Sequence, residues 1–379
     1  MTHIEATIIF PNMALNYSES KEMMKQTQLN LPKFLAIILV FIFTFQADAT
    51  EKLPALGADI QNTSVSGLSS GGYMAGQFFM AHSAMMKGVG IVGAGPYLCS
   101  GSWPLPYEIA SVTTCKNPRY SFWEPNTPHL IATTRQLSAS GKIDDIQHLK
   151  TAHYYIFGGL NDQTVTQRVV DQNISFFQSL GVSERAIWYD DNVNAGHAFI
   201  TDNPQDSACS VTRSPYINNC GFSQAGRILS QIYPDFTASE TNPAATPEAF
   251  DQSEFIQEPF TSMDETGYVY IPPQCKSGTT CAVHVIFHGC RQGATVIGDK
   301  FYTGTGYNQY ADANHLILLY PQVHRSASLT ATEPENPKGC WDYWGYSEPQ
   351  NPFGDFYTKD APQIRAVYRM IQRLTSPGH

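Results

Sequence analysis

A chain of 379 residues with 42% apolar and 15% charged residues can bury a substantial core, and it carries too few charges to be a disordered one. Its formal charge of −10 is the wrong sign for gripping phosphates, which argues against a nucleic-acid partner and suits a neutral substrate better.

In chain order, the first element reads as a leader. Phe34 to Phe45 is an apolar run, with Lys25 and Lys33 before it and Ala47-Asp48-Ala49 after it, the small-x-small spacing of a signal peptidase site. About a dozen residues is short for a bilayer span. Residues 1–49 are therefore expected to be cleaved after Ala49 and the rest exported with no stable membrane anchor, an uncleaved anchor being the alternative. Met23 and Met24 are alternative starts, because the stretch before Lys25 is long for a leader.

Residues 50–379 are expected to form one catalytic domain. Asn62–Ser66 reads as a strand, Gly72–Met86 as a helix and Val89–Val92 as the next strand. Tyr154–Phe157 is another strand, followed by a helix over Val165–Leu180, a strand over Ala186–Tyr189 and a helix over Ser223–Tyr233. The polar stretch Ala238–Ala249 has the look of a linker. The chain beyond it, with strands at Tyr268–Ile271, Val283–Phe287 and Leu316–Tyr320 and helices at Gln309–His315 and Pro362–Leu374, reads instead as more of the same sheet. This alternation predicts an α/β fold with a mostly parallel central sheet flanked by helices.

Eight cysteines lie after the leader: Cys99, Cys115, Cys209, Cys220, Cys275, Cys281, Cys290 and Cys340. An even number in an exported chain points to disulfides, although sequence does not fix the pairing. Local pairing would join Cys99 to Cys115, Cys209 to Cys220 and Cys275 to Cys281, and leave Cys290 for Cys340. A zinc site is a poor alternative, because Cys275, Cys281 and His288 lack Cys-x-x-Cys spacing, and no metal is expected.

Gly67-Leu68-Ser69-Ser70-Gly71 matches G-x-S-x-G, between a predicted strand and a predicted helix. The glycines permit a sharp turn that lifts the Ser69 hydroxyl above the sheet. A serine hydroxyl is a weak nucleophile and needs a base held by a third group. Asp162 follows one strand within Gly158-Gly159-Leu160-Asn161-Asp162, and His197 follows the next within Asn194-Ala195-Gly196-His197. Taken singly, these residues are an ordinary Ser/Gly turn, a turn-capping carboxylate and a loop histidine. In the order serine, acid, histidine they match the catalytic set of α/β-hydrolases. Val285-Ile286-Phe287-His288-Gly289-Cys290 then runs a strand into His-Gly, the mark of the loop that helps form an oxyanion hole. It normally precedes the serine. Its late position predicts a circularly permuted chain whose last helix ends near the first strand, with His288 shaping the loop rather than acting as a second base.

Ser66 to Ala75, His288-Gly289-Cys290-Arg291-Gln292 and Asn336 to Tyr346 together resemble the secreted poly(3-hydroxybutyrate) depolymerases of the single-domain, circularly permuted α/β-hydrolase type. Ile217-Asn218-Asn219-Cys220, Phe250-Asp251-Gln252 and Leu319-Tyr320-Pro321-Gln322 extend the likeness over nearly all of the chain after the leader. The resemblance implies Ser69, Asp162 and His197 as catalytic residues, oxyanion donors at the backbone N–H of Ser70 and Cys290, and a Cys290–Cys340 disulfide. It implies a polyester or oligoester substrate, and acyl transfer through a serine needs no cofactor. The sequence departs from the larger members of the wider depolymerase group in showing no Thr-rich linker followed by a separate polymer-binding module; the oligomeric state is left open. Trp341, Tyr343, Trp344 and Tyr346 are the aromatic candidates for an uncharged polyester, the alternative being core rings under a loop. A feruloyl or short-chain carboxylesterase and a non-catalytic polymer-binding protein are the rival functions.

Overall fold

Strands that are apolar on both faces build the centre of this protein. A computed structural model describes residues 51–238, 240–327, 335–351 and 354–378; the expected leader and its cleavage point lie outside the described residues. The strands, in chain order, are β1 (Thr63–Leu68), β2 (Met86–Val92), β3 (His153–Phe157), β4 (Ile187–Asp190), β5 (Phe199–Thr201), β6 (Ser207–Ala208), β7 (Ile217–Asn219), β8 (Glu248–Asp251), β9 (Thr266–Tyr270), β10 (Ala282–Phe287) and β11 (Leu316–Tyr320). Eight of them form one sheet in the order β4-β3-β2-β1-β10-β11-β9-β8, and β5, β7 and β6 form a small second sheet. From β4 to β11 the pairing is parallel; β9 and β8 are antiparallel.

Successive side chains on a strand point to opposite faces. On β3, Tyr154 and Ile156 join the core on one side, and Tyr155 and Phe157 join the core on the other. On β11 the split is Ile317 and Leu319 against Leu316, Leu318 and Tyr320. Such two-sided burial is the pattern of a parallel sheet covered by helices. Helix α1 (Ser70–Ala81) and the helix Pro362–Thr375 supply the first layer; the helices Gln224–Ile232 and Asn308–Ala311 supply the second.

The chain order is permuted as expected. β1, the first strand, pairs with β10 in parallel register, Ser66 against Ile286 and Gly67 against Phe287. The last helix ends beside the segment that leads into β1, where Leu56 and Ala58 donate backbone hydrogen bonds to the carbonyl of Leu374. The join between β1 and β10 carries a buried polar ladder as well as backbone bonds. Tyr233 Oη meets Ser64 Oγ at 2.7 Å, and Ser64 Oγ meets His284 Nδ1 at 2.6 Å. His284 Nε2 meets Ser66 Oγ at 2.8 Å, which meets Tyr307 Oη at 2.6 Å. Burial pulls the His284 imidazole down to about 3, so it stays neutral and both ring nitrogens are used for hydrogen bonds.

The three local cysteine pairs, Cys99–Cys115, Cys209–Cys220 and Cys275–Cys281, are at bonding distance, and so is the remaining pair, Cys290–Cys340, which the resemblance implied. The linker-like stretch runs into β8, whose Phe250 fills the core at 1% exposure and which joins β9, β10 and β11 in the eight-stranded sheet, as expected of more of the same sheet. Other expectations needed adjustment. The helix read over Val165–Leu180 is two short ones, Gln167–Val170 and Gln172–Ser179. The helices Tyr107–Thr113 and Thr127–Ala139 and the small sheet were not anticipated, having weak apolar periodicity.

At Gly71 a Cβ atom would stand 2.2 Å from the Phe287 carbonyl oxygen and 2.5 Å from that of His288. Both obstacles are backbone, so neither yields. Gly71→Ala is expected to destabilise the protein by about 2–3 kcal/mol, seen as a lower denaturation midpoint in urea.

Candidate active site

Ser69 stands between β1 and α1 with φ 59° and ψ −122°, a conformation that costs a non-glycine residue energy and survives only where its surroundings impose it. The surroundings are identifiable. Ser69 N–H donates to the Val92 carbonyl at 2.9 Å, and its own carbonyl accepts from Tyr73 N–H at 2.9 Å. A Cβ at Gly67 would fall 2.2 Å from the Gly71 carbonyl oxygen. Both glycines of the motif are thus needed because strand, turn and helix touch one another.

Asp162 and His197, the expected acid and base, come from adjoining loops. After β3, the Asp162 carboxylate accepts from Thr164 N–H at 2.8 Å and Val165 N–H at 2.9 Å through Oδ1. Its other oxygen meets His197 Nδ1 at 2.6 Å. Asp162 is 4% exposed and His197 6%. The loops are sewn together by Leu160 N–H to the Val193 carbonyl and Asn161 N–H to the Ala195 carbonyl. His197 N–H donates to Thr212 Oγ1 at 2.8 Å, and Gly196 N–H donates to the carbonyl of Cys209, itself bridged to Cys220. An Nδ1–H held by a carboxylate leaves Nε2 as the basic nitrogen. That Nε2 is buried and has no hydrogen-bond partner among the described residues. Ser69 and His197 line one cavity of about 310 Å³.

Gly289, Cys290, Arg291 and Gln292 line the same cavity. The loop is anchored from behind. His288 is fully buried, with Nδ1 at 2.8 Å from the Gly289 carbonyl and Nε2 accepting from Val323 N–H at 3.2 Å. Burial lowers it to about 4, so it is a neutral strut, as a loop-shaping residue should be. Gln292 accepts from Gly289 N–H at 2.7 Å and donates to the carbonyls of Pro215 and Tyr216. The N–H groups of Ser70 and Cys290 donate to no other group among the described residues.

The aromatic segment lies differently from the sequence expectation. Trp341 is completely buried, edge-on to Phe287 at 4.9 Å and 5.8 Å from His288, beneath the loop rather than in the cleft wall. Tyr343 is 4% exposed and stacks on Tyr73 at 4.4 Å. Tyr346 is buried, its hydroxyl donating to the Cys340 carbonyl at 2.6 Å. Asp342 causes this inward turn by accepting the N–H groups of Trp344, Gly345, Tyr346 and Ser347. None of the four rings lines the Ser69 cavity; Tyr343 and half-buried Trp344 line a neighbouring one of about 160 Å³. Sequence reasoning gave no role to Gly93, Thr212 or Gln292. For Gly93 a signal existed in the Gly-Ala-Gly that follows β2: a Cβ there would press on His197 at 3.2 Å.

Gln292→Leu would leave the Gly289 N–H and the Pro215 carbonyl without a partner, while the Tyr216 carbonyl keeps the Phe199 N–H. The expected result is about 2 kcal/mol of lost stability and a fall in kcat of roughly tenfold or more on nitrophenyl butyrate, read by urea titration and steady-state kinetics.

No protein-family model matches the chain. Among characterised proteins it is 34% identical over 333 residues to a poly(3-hydroxybutyrate) depolymerase of Delftia acidovorans, covering 86% of this chain and 62% of that protein's length. It is 36% identical over 343 residues to a polyhydroxybutyrate depolymerase of Talaromyces funiculosus, covering 87% of this chain and 92% of the relative. Two solved structures match with TM-score 0.73 over 86% of this chain and 98% of theirs. One is the PHB depolymerase of Penicillium funiculosum, 32% identical; the other is a serine-to-alanine PHB depolymerase complexed with an R3HB trimer, 31% identical.

Proposed function

The chain belongs to the polyhydroxybutyrate depolymerase family, and from that premise we propose that it is an exported serine esterase hydrolysing poly(3-hydroxybutyrate) and its oligomers. The observation that carries the reading is the buried Asp162–His197 pair opening onto the cavity that holds the strained Ser69. The solved relative that holds an R3HB trimer carries a serine-to-alanine substitution, which fits a serine nucleophile.

In this mechanism His197 Nε2 takes the proton of Ser69 as Oγ attacks the ester carbonyl. The oxyanion settles on the N–H groups of Ser70 and Cys290. His197 returns the proton to the alkoxide, which leaves as the alcohol end of the shortened chain. Water then attacks the acyl-enzyme through the same steps and releases the acid. Asp162 holds the imidazole tautomer throughout. No step requires a cofactor.

A solid polyester needs a surface to rest on. Leu105, Ile109 and Val112 are all at least 43% exposed on and beside the helix Tyr107–Thr113, and Tyr120, Phe122 and Trp123 form an exposed ring cluster. An exposed group of large apolar residues is the informative exception on a protein surface, and it suits adsorption of the polymer by the catalytic domain itself. Export after removal of residues 1–49 agrees with four disulfides. No helix among the described residues is long and apolar enough to cross a membrane.

The mature protein is expected to clear a poly(3-hydroxybutyrate) suspension and release 3-hydroxybutyrate and its oligomers. Ser69→Ala is expected to lower the rate by a factor on the order of 10³ or more with the denaturation midpoint retained. Hydrolysis of feruloyl or nitrophenyl esters without any polymer or oligomer product would instead place the protein among general carboxylesterases.

A further inference from the structure

The cleft carries charge that the interior of a polyester chain cannot use. Lys116, Arg291 and Lys338 line the same cavity as Ser69 and His197. Lys116 and Lys338 also line the neighbouring cavity walled by Tyr343 and Trp344, so the two adjoin. Among the described residues no carboxylate lines the first; Glu108 and Glu335 stand in the second. Among the described residues none of the three cations is in an ion pair. Arg291 makes a long side-chain hydrogen bond, 3.5 Å to Tyr216 Oη. Burial lowers Lys116 to about 8, and the charges of Lys338 and Arg291 push the same way. The chain as a whole is −10, yet beside its nucleophile it gathers three cations that repel one another. Such a cluster is relieved by a bound anion.

The chemistry of the proposed substrate says where an anion would lie. A 3-hydroxybutyrate chain has a hydroxyl end and a carboxyl end, and each ester's acyl carbon belongs to the hydroxyl-end fragment. Attack by Ser69 keeps that fragment as the acyl-enzyme. The fragment that leaves as the alcohol always bears the terminal carboxylate. We infer that Lys116, Arg291 and Lys338 form a carboxylate subsite on the leaving-group side of Ser69, which seizes the charged end of short oligomers and makes chain-end cleavage of soluble oligoesters a distinct activity. This inference rests on the polyester reading above. The neutral polymer interior passes the same cleft without using the charges.

The test compares kcat/KM for a 3-hydroxybutyrate trimer as the free acid and as its methyl ester, with cleavage scored at the internal esters. The unaltered protein is expected to prefer the acid by about tenfold or more, the scale of a charge-assisted contact. High salt, Lys116→Met, Lys338→Met and the double variant are expected to bring the ratio toward one. Because it is a ratio, general damage to the site cancels, and the salt arm needs no variant to fold. Equal rates on acid and methyl ester, or a preference that survives both high salt and the double variant, would overturn the subsite and leave the polyester reading standing. Failure to cleave either trimer while nitrophenyl butyrate is hydrolysed would overturn both.

Discussion

The close approach of Gly71 to the carbonyls of Phe287 and His288 is the contact on which the rest of the site depends. It makes the serine turn and the His288-Gly289-Cys290 loop a single object, although they come from distant parts of the chain. The parallel pairing of β1 with β10 sets the distance, and the Ser64–His284–Ser66 ladder holds the register. A slip along that pair would separate Ser69 from the N–H groups proposed to receive its oxyanion. The Cys290–Cys340 bridge and Trp341 then support the loop from beneath. Strain at Ser69 is sustained because strand, turn, helix and loop are fixed together.

Much of this was legible in the sequence because it rests on local rules. Gly67 and Gly71 announce a turn that no side chain could share, and the runs Tyr154–Phe157 and Leu316–Tyr320 announce buried strands. The permutation was legible because His288-Gly289 follows a strand of the right kind in the wrong place. Long-range geometry was less so. Four aromatic residues in six positions look like a binding wall until Asp342 is seen gathering four backbone N–H groups and turning Trp341 and Tyr346 inward. Thr212 acts by reaching across to another loop, and nothing in its own neighbourhood marks it; Gln292 stands in a marked segment, but its reach to Pro215 and Tyr216 is long-range. The helices Tyr107–Thr113 and Thr127–Ala139 escaped notice because much of each is exposed, so apolar spacing does not outline them.

The surface around the site divides into two kinds of ground. Outside the cleft, Leu105, Ile109, Val112, Phe122 and Trp123 offer apolar area to a neutral solid. Inside it, Lys116, Arg291 and Lys338 offer positive charge to something small and acidic. A polyester degraded to completion presents both, first as an uncharged chain and then as carboxylate-ended fragments. The proposed enzyme can therefore use one nucleophile for both stages, with the surface selecting the first substrate and the cleft the second.

The central claim is that Ser69 carries the acyl group. Acid quenching of the protein during turnover of 3-hydroxybutyrate trimer, followed by proteolysis and mass spectrometry, tests it directly. The account predicts an adduct of whole 3-hydroxybutyryl units on the peptide holding Ser69, absent from Ser69→Ala. Ester cleavage with the adduct on another residue, or undiminished turnover by Ser69→Ala, would contradict it.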